Sequence, residues 1–283
     1  MYFPILGSLA LAANTIFEKL ILKKKEMSVK RYQTLGFLAI VVAMLPFIYF
    51  FWKLTPEALS LKNIIIFLSV IIFALIANFL FYYSLKNEKV SKLESARILE
   101  PILTILLSVV FSFIFSEVLY ERNFKVVIPA IIAALALVFS HVKRHHLKLN
   151  KYFIAAIFAS LFFALELVFS RLILDFYSPI TFYFLRCLSI FLISFIVFQP
   201  KLSGIERKTY WKILMIGAIW VIYRIIIYYG YLIYGIISTT LVITLGPVFV
   251  YIFAWIFLKD KPKLREIIAS VIIIGCVLYA VLG

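Results

Sequence analysis

Apolar runs of about twenty residues recur along this chain, and short stretches rich in Lys and Arg separate them. A helix of about 20 residues crosses the roughly 30 Å hydrocarbon core of a bilayer, because each residue rises about 1.5 Å. Apolar residues make up 65% of the sequence, well above the share in an ordinary soluble domain. The pattern predicts an all-α polytopic membrane protein.

Ten transmembrane helices are predicted in this sequence. They cover about 2–22, 32–52, 64–85, 93–115, 125–142, 152–174, 180–198, 211–233, 237–258 and 265–282. The connections between them are too short for a soluble domain. The first run lacks a basic leader region and a small-residue cleavage site, so we interpret it as a retained helix and not as a signal peptide.

The formal net charge of +16 raises the question of a nucleic-acid partner. Of the 29 Lys and Arg residues, 27 lie in connections or at helix ends, where they flank the bilayer, so we expect no nucleic acid. Cys187 and Cys276 lie inside apolar spans and suggest neither a disulfide framework nor a metal site. No motif for phosphate binding or catalysis is present, so we expect no enzyme activity and no cofactor.

Two segments of the first half recur in the second half. Residues 7–22 align without gaps on 159–174, with seven of sixteen positions identical. Residues 80–103 align on 226–249, which pairs Pro101 with Pro247. Their order is the same, and the offsets of 152 and 146 are close. We infer a duplication of five spans, with units at 1–142 and 152–283.

Five is an odd number, so the second unit must enter the membrane the opposite way round. Two inverted-topology five-helix repeats are an architecture typical of secondary transporters, which place their substrate site at the interface of the halves.

Two segments of the second half resemble a known transporter family. The segment LGPVFVYIFAWIFLKDKPKLRE (245–266), in which Asp260 follows Pro247 by thirteen residues, and FLRCLSIFL (184–192) resemble the EamA-type branch of the drug/metabolite transporter superfamily. The resemblance covers the whole chain and implies ten spans and a transporter of small metabolites. The chain departs from the pattern in its first half, where Pro101 and Glu117 are sixteen residues apart.

Polar residues inside the spans are candidates for a central cavity, because a charge at mid-bilayer costs about 2.5–3.5 kcal/mol and needs a partner or water. The two offsets place Glu166 on Asn14, Arg224 on Asn78, and Thr240 on Glu94. The resemblance implies that the helices carrying them line the cavity.

Glu166 and Arg186 flank the turn near Tyr177 at similar depths, about 16 and 14 Å from it. An ion pair between them is therefore possible, and Arg224 is the competing partner. Either the pair only holds helices together, or Glu166 binds substrate or protons; an unpaired buried carboxylate could carry a proton.

Further candidates lie in the fourth and ninth spans. Glu100, Thr104 and Ser108 lie on or beside one face of the fourth span and are candidate cavity residues. Pro101 and Pro247 each remove a backbone donor and are predicted to kink their helices, for packing or to free carbonyls for the cavity. The tyrosine pairs at 82–83 and 228–229 are either interfacial belt residues or hydrogen-bonding walls.

Connections after odd-numbered spans hold 22 Lys and Arg residues, and those after even-numbered spans hold 5. Positive connections stay in the cytoplasm, so we expect both termini outside a plasma membrane, against the family norm. We predict a secondary transporter working by alternating access on a small metabolite, such as an amino acid, with possible proton coupling. A nucleotide-sugar or phosphosugar exchanger is the alternative within transport, and a lipid-handling or scaffolding membrane protein is the alternative outside it.

Overall fold

A computed structural model describes residues 3–88, 93, 96–115, 123–141, 150–201, 203–246, 248–249 and 264–282. These residues form ten α-helices and no named strand. The helices are α1 Phe3–Leu22, α2 Val29–Phe51, α3 Leu61–Asn87, α4 Leu99–Ile114, α5 Phe124–His141, α6 Lys151–Arg171, α7 Pro179–Phe198, α8 Arg207–Ile233, α9 Ile236–Ile243 and α10 Leu264–Leu282.

The all-α class is confirmed for the described residues. Five helices, α2, α3, α6, α7 and α8, are long and apolar enough to cross a membrane. The ten-span count and the two-repeat arrangement stay predictions. Pro247, Glu94, Glu117 and Asp260 lie outside the described residues, as do 142–149 and 251–263, which include most of two basic connections.

Polar residues in the short connections define where several helices begin. The side chains of Ser28, Ser60, Asn150 and Ser178 accept hydrogen bonds from backbone amides in the first turns of α2, α3, α6 and α7. Such caps satisfy amides that have no partner within the helix. Pro179 follows its cap at the first helical position, where a missing N–H costs nothing.

Helices of the first half pack extensively on helices of the second. The pairs α1–α8 and α3–α6 are in contact, as are α2–α7, α4–α9 and α5–α10. Gly217 shows how close one such approach is, because a Cβ added there would lie 2.9 Å from the backbone carbonyl carbon of Ala39 on α2. The two halves therefore share one interior and are not separate globules.

The connections between helices contact one another in two separate groups. Lys24, after α1, donates 3.2 Å to Glu206 before α8, and Asn150 before α6 bonds Glu88 after α3. At the other set, the backbone amide of Thr55 donates to the Phe176 carbonyl at 3.0 Å, which joins the α2–α3 and α6–α7 connections. Odd connections thus meet odd ones and even meet even, as helices that alternate in direction require.

Candidate functional site

Glu166 lies at the centre of a buried charged cluster formed by α6, α7 and α8. Its Oε1 lies 2.9 Å from Arg186 Nη1, and its Oε2 lies 3.4 Å from Arg224 Nη1. The exposed fractions are 0% for Glu166, 2% for Arg186 and 5% for Arg224. Both partners considered for Glu166 are therefore engaged, and the cluster has one more positive than negative charge.

The Arg186 side of the cluster is tightly bonded. Arg186 Nη1 donates to the Tyr228 hydroxyl at 2.5 Å, and that hydroxyl donates to Glu166 Oε1 at 2.9 Å. The Ser170 hydroxyl, one turn after Glu166, donates 3.3 Å to the same oxygen. Arg186 also lies over the Tyr183 ring at 5.5 Å, within cation–π range. This side has the geometry of a structural ion pair.

The Arg224 side is looser. The distance from Arg224 Nη1 to Glu166 Oε2 is 3.4 Å. This is longer than the usual 2.7–2.9 Å between nitrogen and oxygen in a charge-assisted hydrogen bond. Arg224 Nη1 and Glu166 Oε2 are both buried, and neither has a hydrogen-bond partner among the described residues. The rings of Phe163 and Tyr223 lie 6.0 and 5.9 Å from the guanidinium. One charged edge of the cluster thus has hydrogen-bonding capacity left.

A second buried carboxylate, Glu18 on α1, was not predicted as a site residue. Its side chain is 0% exposed. Oε1 accepts hydrogen bonds from Trp220 Nε1 at 2.8 Å and from the Tyr32 hydroxyl at 3.3 Å, and the Tyr82 hydroxyl faces the same group. No ion pair of Glu18 occurs in the described part of the chain.

Asn14 lies one helical turn before Glu18 and is also fully buried. Neither its Oδ1 nor its Nδ2 has a hydrogen-bond partner within the described ranges. A buried polar group without a partner costs about 1–3 kcal/mol, so an amide that leaves both atoms unpaired is a candidate binding group.

The other predicted residues are spread over the same interior. Asn78 is buried and donates to the Ala74 carbonyl of its own helix at 2.7 Å. Thr240 is buried on α9 and faces Tyr231, and Glu100 is half-buried in the first turn of α4 and acts electrostatically on Tyr223. None of these three joins the Glu166 cluster through a hydrogen bond or ion pair that the structure describes.

Pro101 stands in the first turn of α4, just after a turn at Ile98. A proline at this place loses no hydrogen bond, because the first amides of a helix have no partner within it. Its kinking role stays a prediction.

In each tyrosine pair, one member is buried and the other is partly exposed. Tyr82 and Tyr228, the first members, are buried against Glu18 and Glu166, whereas Tyr83 is half-buried and Tyr229 is 38% exposed. Each half therefore places a tyrosine on α3 or α8 against a carboxylate on α1 or α6.

Comparison with known proteins relates the second half of the chain to a transporter family. Residues 150–282 match the model of the EamA-like transporter family. The second half of this chain is therefore similar to that family, which is part of the drug/metabolite transporter superfamily. A crystal structure of another protein aligns over 99% of this chain and 95% of its own, with a TM-score of 0.68 and 16% identity, which shows a shared fold. No curated protein sequence matches the chain.

The EamA-like half contains the whole Glu166 cluster, whereas Asn14, Glu18, Asn78 and Glu100 lie before it. Together with the apolar helices, the family indicates an integral membrane protein of the drug/metabolite transporter type.

Proposed function

We propose that this protein is a secondary transporter that moves a small zwitterion, such as an amino acid, by alternating access. Residues 1–142 and 152–283 form its two inverted five-helix halves. The helix contacts support this division. In two five-helix repeats, α1 corresponds to α6 and α3 corresponds to α8, so the contact α1–α8 should have the counterpart α6–α3, and both pairs are in contact. The self-related pairs α2–α7, α4–α9 and α5–α10 also occur.

The observation that carries the proposal is the loose edge between Arg224 and Glu166. A guanidinium nitrogen and a carboxylate oxygen face each other at 3.4 Å without a hydrogen bond, and both are buried. A zwitterion supplies the complement of each group: its carboxylate would accept from Arg224, and its ammonium would donate to Glu166 Oε2. Asn14, Asn78, Glu100 and Thr240 are proposed as further polar groups of the same cavity.

The tight Arg186 contact favours a structural role for that part of the cluster, so Arg186 holds Glu166 while Arg224 engages cargo. A purely structural bundle is the competing function. It would gain nothing from the loose edge, since well-packed apolar residues often replace a buried ion pair without loss of stability. A phosphorylated cargo fits less well, because the cluster has only one positive charge in excess.

A thermal-shift screen of the purified protein tests the proposal. Amino acids, nucleotide sugars, phosphosugars and lipophilic cations are added in turn, because a ligand that binds only the folded state raises the melting temperature. We expect a shift with zwitterions that is lost in Arg224→Gln. The matched control is Arg207→Gln, at an exposed position at the start of the same helix.

A shift that survives in Arg224→Gln would remove Arg224 from the site. No shift with any class, together with no counterflow in proteoliposomes, would favour the structural bundle. We also propose a plasma-membrane location with both termini outside, which the excess of 22 over 5 basic residues supports.

A further inference from the structure

Glu18 differs from Glu166 in the chemistry of its partners. Glu166 faces two guanidinium groups, whereas the groups that donate to Glu18 Oε1 are an indole N–H and a phenol, both neutral. Glu18 Oε2 is buried and has no hydrogen-bond partner among the residues that the structure describes. One carboxylate is neutralised by fixed cations, and the other retains a position for a cation of its own.

Charged and titratable groups surround Glu18 from four other helical segments. Tyr32 comes from α2 and Tyr82 from α3, while Arg97, just before α4, acts on it electrostatically. Trp220 covers it from α8, and the Trp220 ring is 5.4 Å from the ring of Tyr223.

The neighbouring Lys19 does not neutralise the carboxylate. Its ammonium is bonded to the backbone carbonyls of Leu85, Lys86 and Glu88 at the end of α3. Arg97 lies over the ring of Phe81 at 5.2 Å and forms no ion pair with Glu18 in the described part of the chain.

The neighbours of Glu18 suit a proton better than a metal ion. A metal cation needs several oxygen ligands, and the Trp220 indole N–H can only donate. A proton on Oε2 needs no further ligand. It also removes a negative charge from a fully buried place, where desolvation disfavours the charged form.

We propose that Glu18 is the proton-binding site of this transporter, separate from the Glu166 cluster. The proton binds at Oε2, while Trp220 and Tyr32 hold Oε1. The two carboxylates lie on α1 and α6, each toward the C-terminal end of its own helix: Glu18 is four residues before the end of α1 at Leu22, and Glu166 is five before the end of α6 at Arg171. Proton coupling rests on the proposed transport function, whereas proton binding can be measured without it.

The indole of Trp220 provides a direct readout, because it donates to the carboxylate. A background with Trp52→Phe, Trp211→Phe and Trp255→Phe leaves Trp220 as the single tryptophan, since the chain has four. Its fluorescence is titrated between about pH 4 and 10, a range that includes the values reached by buried carboxylates. We expect a one-proton transition that Glu18→Gln abolishes.

The control is Glu206→Gln, at a carboxylate whose side chain is 71% exposed, which should leave the transition unchanged. Glu18→Asp keeps a titratable group and should shift the midpoint. This second variant decides the matter if Glu18→Gln does not fold. A transition that persists in Glu18→Gln, a midpoint that Glu18→Asp leaves unmoved, or a flat titration of the parent would each overturn the proposal.

Flux measurements separate this proposal from the transport proposal. In proteoliposomes, we expect a pH gradient to drive uptake of the cargo that the screen identifies, and Glu18→Gln to lose this uptake but retain counterflow. Gradient-driven uptake that survives in Glu18→Gln would overturn the role in coupling. If no cargo moves under any condition while the Trp220 titration is positive, transport fails as the function and Glu18 remains a proton site.

Discussion

Substituting Glu166 by glutamine removes the carboxylate that two buried arginines share. The variant leaves Arg186 and Arg224 facing each other with no negative charge between them, and both are at most 5% exposed. Removing one member of a buried ion pair typically costs about 3–5 kcal/mol, because the remaining charge stays desolvated. We expect a loss of about 4 kcal/mol in the free energy of unfolding.

Arg224→Gln should cost much less than Glu166→Gln. Its contact is 3.4 Å long and has no hydrogen bond, and its removal leaves the neutral pair of Glu166 with Arg186 at 2.9 Å. We expect about 1 kcal/mol, the scale of a weak polar contact. Arg186→Gln should fall between the two, because it breaks the short contact and the Tyr228 bond but leaves Arg224 as counter-charge.

Unfolding in mixed micelles by added SDS, followed by far-UV circular dichroism, measures this order directly. The Glu166→Gln/Arg186→Gln double variant completes a cycle, in which the coupling should be about 2 kcal/mol or more, within the range of contacting residues. An Arg224→Gln variant as unstable as Glu166→Gln, or a Glu166→Gln variant as stable as the parent, would refute the reasoning.

Three further predictions use other parts of the molecule. Asn14→Leu removes a buried amide that has no hydrogen bond. We therefore expect an unchanged melting temperature, or a rise equivalent to about 1 kcal/mol, together with loss of transport. A lower melting temperature would contradict this expectation. Gly217→Ala should lower stability by about 1–3 kcal/mol, because the added Cβ would meet the backbone of α2. Gly36→Ala, where nothing lies within 4 Å of the added Cβ, should change stability by less than about 0.5 kcal/mol or increase it. Equal melting temperatures of the two variants would argue against the close approach at Gly217. A cysteine at exposed Glu57 should react with an impermeant reagent in intact cells and one at exposed Lys25 should not, and the reverse result would place the basic connections outside.

The ion pair could be predicted because α6 and α7 are regular helices joined by a short connection. Counting residues from the turn puts Glu166 and Arg186 at similar depths, and both helices run without interruption to either side of it. Depth alone could not show that Arg224 also contacts Glu166, because α8 meets these two helices only through tertiary packing. The all-helical class followed from hydrophobicity.

Polar positions that recur between the two halves do not indicate Glu18. At the offset of 152 it falls on Ser170, which has no charge, while Glu166 falls on Asn14. The available signal was local: Glu18 lies one turn after Asn14, on the same face of α1. Its donors Tyr32 and Trp220 come from two other helices, and Trp220 lies 202 residues away in the chain, so no spacing in the sequence indicates them.

That separation has a consequence for biosynthesis. At about 5–20 residues per second, translation of the 202 residues between Glu18 and Trp220 takes roughly 10–40 s. During that interval α1 is already made and α8, which covers its carboxylate, does not yet exist. The first helix must therefore either wait beside the insertion machinery or enter the bilayer with Glu18 neutral. Release of the nascent chain from that machinery is then the step most sensitive to a charge at this position.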